Sequence, residues 1–245
     1  MIVYGINIDP PYRDQMAVNV YLNTSNKNNE WKVFSLLSKK QHSITEMTPD
    51  LFVIELLSFI QSQNSYHVNI LNFKNECLTH SNLMFIKGIT DILNEKEIGF
   101  FISVETFGVS HLSEESIAYL QEGIIDKIHF RFNITSMETL EKQKDHFLLP
   151  FKTLSQIYKY AILSPMEHDF DVCESLSFGF YFNQKTYDET YYKMILMTFY
   201  KFLQKTDPKT KENIRCYIIG KGTQKIRMWN LLKDLIDPSK IILLS

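Results

Sequence analysis

A few charged and polar residues that recur along strand-like runs are the candidates for chemistry in this sequence. Glu105, His129 and Arg131 supply a carboxylate, an imidazole and a guanidinium, which are groups that transfer protons or bind anions. Asn19 and His67 hold comparable positions in two other runs. His67, His129 and Glu105 could bind a metal as two histidines and a carboxylate. No His-x-x-x-His spacing accompanies them, so hydrogen-bonded histidines are the simpler interpretation, and no metal or other cofactor is expected.

The runs that carry these residues alternate apolar and polar side chains, as strands with one packed face do. The clearest is 126–133, where isoleucine and phenylalanine at even positions alternate with His129, Arg131 and Asn133. In 66–72 the same alternation places Val68 and Ile70 together on the apolar face of the strand. The predicted strands lie near 17–23, 66–72, 99–106, 126–133, 158–164, 177–183 and 214–219, with a last one at 240–244.

The alternation also predicts where the candidate residues point. Asn19, His67, Glu105, His129 and Arg131 stand at odd positions between apolar residues, so they are expected to share one cavity. A buried guanidinium needs an anionic partner, which makes Glu105 the expected partner of Arg131 unless an anionic ligand takes that role. The sequence therefore predicts a polar, ligand-binding cavity. It identifies no catalytic residue, and no nucleophile motif of serine, cysteine and histidine is visible.

Amphipathic helical stretches separate most of these strands, which favours parallel crossovers. Helices are predicted over about 49–63, from a cap at Ser81, from a cap at Ser113 to near Gly123, over 186–205, and over about 223–236. These make roughly six β/α units, fewer than the eight of a complete barrel. We predict an α/β fold, a partial (β/α)6 barrel formed by one domain over 1–245, with a doubly wound sheet as the alternative.

Composition limits the classes of function. The 245 residues are 44% hydrophobic and 22% charged, with a net charge of −2, so neither nucleic acid nor membrane is an expected partner. The start of the sequence, Met1–Pro11, has neither the basic nor the long apolar region of a signal peptide, and a cytoplasmic location is expected. Cys77, Cys173 and Cys216 are far apart and are expected to be buried or inert thiols.

Four segments resemble parts of the radical S-adenosylmethionine proteins, in particular the small carboxydeazaguanine synthases and radical-activating enzymes. Tyr4–Pro11, followed by Val18–Thr24, is similar to the lead-in strand and the strand before the cluster loop. Phe73–Leu78 resembles the Gly-Gly-Glu-Pro segment with only Glu76 kept, and Val104–Gly108 resembles the Glu-Thr-Asn-Gly-Thr stretch. Lys127–Asn133 lies where the fourth strand belongs. The resemblance covers about residues 1–165 and adds Glu76 to the candidate ligand-binding residues.

The family's CxxxCxxC loop, whose thiolates hold a four-iron cluster, has no counterpart. Thr24, Asn28 and Trp31 fall at its positions, and residues 1–76 contain no cysteine. In this respect the chain resembles clusterless, radical SAM-like proteins of peptide-maturation systems. The resemblance implies a non-catalytic binding or accessory protein with a peptide or protein partner. The alternatives are a barrel enzyme, a hydrolase or isomerase with or without a metal, that uses the polar cavity, and an interaction protein whose cavity is filled by its own hydrogen bonds.

Overall fold

A nine-stranded sheet forms the centre of the part of the chain that the computed structural model describes. The described residues are 2–9, 16–22, 45–62, 68–74, 77–106, 112–134, 152–153, 156–157, 176–182, 197, 199–201, 204–205, 214–219, 223–234 and 236–244. The strand predicted at 158–164 lies outside them.

Strands alternate with helices over most of these residues. The strands are β1 (Ile2–Asp9), β2 (Met16–Leu22), β3 (Thr45–Glu46), β4 (Val68–Lys74), β5 (Phe101–Thr106), β6 (Lys127–Ile134), β7 (Leu176–Phe182), β8 (Ile214–Ile219) and β9 (Ile241–Leu244). The helices are α1 (Pro49–Ser62), α2 (His80–Glu95), α3 (Glu114–Gln121) and α4 (Thr223–Leu232), and a 3-10 turn, Pro238–Lys240, precedes β9. Further helical residues occur at 152–153 and 156–157, between β6 and β7, and at 197, 199–201 and 204–205, between β7 and β8.

The order of the strands distinguishes between the two predicted architectures. From β2 onward the order is β2-β4-β5-β6-β7-β8-β9 with every pair parallel, while β1 and β3 add antiparallel pairs at one edge. A doubly wound sheet reverses its order at a switch point, and the strands that the structure describes do not. Because parallel crossovers are right-handed, an unreversed order places the helices on one face. The expected α/β barrel-type fold is confirmed, with its described edges at β3 and β9.

Two helix boundaries follow the predicted cap chemistry. Helix α1 begins at Pro49, directly after Thr48. Helix α3 begins after Ser113, whose Oγ accepts a hydrogen bond of 3.2 Å from the backbone N–H of Ser116. The chain then turns at Gly123 with a φ of +74°, a conformation that glycine adopts without strain.

Two other boundaries were predicted wrongly. The cap of α2 is Thr79 rather than Ser81, and its Oγ1 accepts a hydrogen bond of 3.4 Å from the backbone N–H of Asn82. Threonine and serine cap helices almost equally well, so composition alone does not choose between them. Helix α4 ends at Leu232, four residues before the predicted end.

The helix-facing side of the sheet forms the hydrophobic core. Val20, Val104, Phe130 and Phe178 come from four different strands and are completely buried. They belong to one cluster with residues of the helices, among them Phe52, Leu56, Leu83, Ile86, Ile89 and Ile117. The alternation predicted for β6 is confirmed, since Phe130 is buried while the adjacent His129 is half-exposed. In the described residues no helix has the length and apolar character needed to cross a bilayer.

Strand β4 departs from the predicted alternation. Its pairing with β2 passes from Met16–Val68 to Ala17–Ile70, which leaves Asn69 as an extra residue in β4. Such a bulge changes the phase of a strand. Val68 packs against the core, whereas Ile70 lies on the opposite face beside Ala17. The prediction that Val68 and Ile70 share one side is therefore wrong, and the buried residues after the bulge are Leu71 and Phe73.

Three aromatic rings join the middle of the sheet to a helical segment. Phe130 on β6 and Phe178 on β7 stack with ring centroids 5.9 Å apart. Phe178 also meets Phe199 edge-on, with centroids 4.8 Å apart. All three side chains are completely buried, so the middle ring links two strands and the connection that follows them.

We expect Phe178→Ala to lower the free energy of unfolding by about 3–5 kcal/mol, because it leaves a cavity between two buried rings. Denaturation by guanidinium chloride, followed by circular dichroism, measures the loss. Met197→Ala is the matched control: Met197 is 61% exposed, and its truncation should change the free energy by less than about 0.5 kcal/mol. Equal effects of the two substitutions would contradict the central position of Phe178.

Candidate functional site

Three rows of side chains that the strand register aligns lie on the face of the sheet opposite the helices and form the candidate site. The row nearest the amino ends of the strands is apolar and consists of Ala17, Ile70 and Phe101. The middle row consists of Asn19, Asn72, Ser103 and Lys127. The polar row, which follows it, consists of Tyr21, Lys74, Glu105, His129, Ser177 and Arg215. The polar row lies at the carboxyl ends of β4 and β5, the ends where barrel proteins bind their ligands, and nearer the amino ends of β6, β7 and β8.

Lys74 and Glu105 are neighbours within the polar row. Phe73 is paired with Val104, so Lys74 and Glu105 occupy the next matching positions on β4 and β5. Glu105 is in turn paired with His129 on β6. Adjacent strands lie about 4.8 Å apart, and the register thus places an ammonium group, a carboxylate and an imidazole on three consecutive strands.

The face that carries these rows is enclosed. Asn19 and Ser177 are 0% exposed and Glu105 is 5% exposed, although all three lie on the side away from the helices. On the uncovered side of a flat sheet such residues would contact water. Their burial is the arrangement found when a parallel sheet curls around its own face. Lys74, His129 and Arg215 are only half-buried, so the polar row remains accessible to solvent.

His129 is held in place by two neighbours on the strands beyond it. Its Nδ1 lies 2.8 Å from Oγ of Ser177, a hydrogen bond in which either atom can be the donor. The ring of Tyr217 meets the imidazole edge-on, with ring centroids 5.8 Å apart and an interplanar angle of 70°. The buried hydroxyl and the aromatic ring together restrict the orientation of the imidazole. With Nδ1 in this bond, proton exchange with a ligand would take place at Nε2.

Glu105 lies one residue before the end of β5, and its main chain anchors the segment that follows β4. The backbone N–H of Cys77 donates a hydrogen bond of 3.2 Å to the carbonyl oxygen of Glu105. The next residue, Thr106, is completely buried. The carboxylate is therefore attached to a firmly packed strand end rather than to a mobile loop.

The structure places three of the six predicted ligand-binding residues, Asn19, Glu105 and His129, on one face. Asn19 is in the middle row, one step below the other two. Arg131 lies two residues after His129 on β6 and pairs with Gly179, but its side chain lies outside the described residues, as do His67 and Glu76. The ion pair between Glu105 and Arg131, and ligand binding by these residues, stay predictions.

Four residues of the polar row were not among the predicted candidates, and Lys74 and Ser177 are the two that matter most to the site. Lys74 falls beyond the predicted end of its strand at residue 72, and only a continuation of the alternation to residue 74 could have identified it. Ser177 begins a predicted strand but has no distinctive neighbours. Its importance depends on the pairing of β6 with β7, which a single sequence does not reveal.

The cysteines of the described residues lie in the core. Cys77 and Cys216 are completely buried, as expected for inert thiols, and Cys173 lies outside the described residues. Burial raises the pKa of the Cys216 thiol, which disfavours the nucleophilic thiolate. Among the described residues, no three His, Cys, Asp or Glu side chains form a group that could hold a metal ion.

No protein-family model matches the chain, and no curated protein matches it. Among solved structures, the chain is similar to a protein from Anabaena variabilis that is provisionally described as a sugar phosphate isomerase/epimerase. The two sequences are 13% identical, and the match covers 81% of this chain and 69% of that chain with a TM-score of 0.44. A likeness this weak carries no argument, and the architecture given above is derived from the order of the strands.

We expect Ser177→Ala to release the imidazole of His129, because the substitution removes the bond at Nδ1. The 15N chemical shifts of Nδ1 and Nε2 should move towards those of an imidazole that exchanges freely between tautomers. The measurement is a long-range 1H–15N NMR correlation spectrum of the histidine rings. Ser81→Ala, on the exposed side of α2, is the control. Unchanged His129 shifts in Ser177→Ala would show that the hydroxyl does not orient the ring.

Proposed function

We propose that the protein is a barrel enzyme that transfers protons on a small polar substrate bound against the polar row, as an isomerase does. The observation that supports this is the position of Glu105 beside His129 on adjacent parallel strands, with His129 bonded to the buried hydroxyl of Ser177. A carboxylate and an imidazole side by side can remove a proton from one substrate atom and return one to another. A substrate above the two strands would be within reach of both groups.

The two groups have different surroundings, which is typical of acid–base pairs. Glu105 is nearly inaccessible, whereas His129 is half-exposed. Pairs of titratable groups in unlike environments commonly divide the acid and base roles between them. In this proposal Glu105, which is itself nearly inaccessible to solvent, removes the proton, and His129 exchanges protons with the substrate and with solvent.

Acyl transfer through a serine nucleophile is less well supported. Ser177 is the serine bonded to His129, and it is completely buried. A nucleophile must reach a carbonyl carbon of the substrate, whereas a buried hydroxyl can only orient the ring beside it. Ser177 is therefore proposed as a positioning residue. This favours an isomerase over a hydrolase of the serine type.

The competing proposal is the binding or accessory role implied by the resemblance to radical S-adenosylmethionine proteins. Its support is the absence of cysteine from residues 1–76, which leaves no ligands for a cluster. Met197 and Tyr200, which are 61% and 42% exposed and lie about one helical turn apart, would then contribute to a contact with a peptide or protein. Binding of a small ligand without exchange of its carbon-bound protons would favour this role.

We expect the protein to catalyse exchange of carbon-bound protons for deuterium in D2O. Suitable substrates are a panel of small hydroxy-aldehydes and hydroxy-ketones, each tested with and without a carboxylate or phosphate group. Loss of a C–H signal in 1H NMR measures the exchange. Glu105→Gln and His129→Asn should each slow it by about 10²–10⁴-fold, the usual contribution of a general acid or base.

Glu114→Gln is the matched control, because Glu114 is an exposed carboxylate in the first turn of α3. It should leave the exchange rate unchanged. Thermal unfolding of each variant separates loss of catalysis from loss of fold. If folded Glu105→Gln and His129→Asn exchange protons at the wild-type rate, the polar row is not the catalytic site.

A further inference from the structure

We propose that Lys74 binds an anionic group of the ligand, so that the ligand of this face is a small carboxylate or phosphate compound. This inference rests on the proposed function for the position of the ligand. It adds the class of ligand and a residue that recognises it. Lys74 is the last residue of β4 and stands beside Glu105 in the polar row.

Among the side chains that the structure describes on this face, cations outnumber carboxylates. Among the side chains that the structure describes there, Lys74, Lys127 and Arg215 are cationic and Glu105 is the one carboxylate. The protein as a whole has a net charge of −2, so the described side chains of this face differ in the sign of their charge from the chain as a whole. An enclosed surface of one sign concentrates its field and attracts ligands of the opposite sign.

The surroundings of Lys74 differ from those of a lysine used for structure. Lys87, at the contact between α2 and α3, has its Nζ 3.2 Å from Asp91 and 2.8 Å from Glu122, and these hydrogen bonds raise its pKa. Lys74 is half-buried, and among the described residues no carboxylate lies within ion-pair distance of its amino group. A partly buried cation is stabilised when an anion compensates its charge. A bound carboxylate or phosphate would supply that anion.

The position of Lys74 suits this role. It lies at the carboxyl end of a parallel strand, the end where ligands bind in barrels. The flexible stem of lysine lets its ammonium group meet either a carboxylate or a phosphate as a point charge. With the anionic group held at β4, the rest of the ligand would extend over Glu105 and His129 on the next two strands.

The test is direct binding of inorganic phosphate and of acetate to the whole protein at low ionic strength, measured by isothermal titration calorimetry, with glycerol as an uncharged probe. We expect at least one of the two anions to bind wild-type protein, glycerol not to bind, and Lys74→Gln to weaken anion binding by about tenfold or more. Stronger binding of phosphate than of acetate, or the reverse, identifies the anionic group.

Lys96→Gln is the matched control, because Lys96 is an exposed lysine after α2, at the amino end of the strands. It should bind the anions as wild type does, and unfolding midpoints should confirm that both variants are folded. The proposal fails if Lys74→Gln binds with unchanged affinity, or if neither anion binds wild-type protein with a Kd below about 10 mM.

The proton-exchange experiment does not depend on this result. If Lys74→Gln loses anion binding and the wild-type protein shows no proton exchange, the proposed anion site is retained and only the catalytic role is rejected.

Discussion

The relative register of the parallel strands determines which residues of this protein can meet. Side chains alternate along a strand, so a shift of one residue would exchange the two faces. Such a shift in β5 would move Glu105 towards the core and Val104, now completely buried, away from it. An ionised carboxylate in an apolar core is strongly disfavoured. Packing under the helices therefore keeps Glu105 level with His129 on the opposite face.

The core and the candidate site are consequently two sides of the same strands. Each polar-row residue on β5, β6 and β7 has a completely buried neighbour in sequence, such as Val104, Phe130 or Phe178. Groups placed on packed strands hold their geometry better than groups on loops. The bond from Ser177 to His129 adds a restraint on the side chain itself. Lys74 differs, since it combines a fixed main chain with a long, flexible side chain.

The sequence was sufficient for features that depend on local chemistry. Alternation located most of the strands, Pro49 and Ser113 marked helix starts, and the succession of strands and helices indicated a barrel-type sheet. The predictions failed where two residues serve equally well as a helix cap, or where pairing with another strand determines the local structure. Thr79 and Ser81 are both good caps, and the bulge at Asn69 exists only in the pairing of β4 with β2.

The residues of the candidate site also divide into those that the local sequence identified and those that only strand pairing identified. Glu105 and His129 were found because charged groups stand out between apolar residues, and the structure places them side by side. Lys74 and Ser177 became visible only through register, because neither residue type is unusual at a strand end. Identifying the ligand would require side-chain geometry around the polar row, which periodicity in a sequence does not contain.

The unreversed strand order also bears on how the chain folds. Each parallel strand from β4 to β9 pairs with the parallel strand that precedes it among those that the structure describes, so no pairing skips a described parallel strand. Loop-closure entropy rises with loop length, and long-range pairing slows folding. During synthesis from the amino end, the sheet can grow by one strand at a time against an edge that already exists. The nascent protein would then expose a single growing edge at each stage, which limits the opportunities for mispairing with other chains.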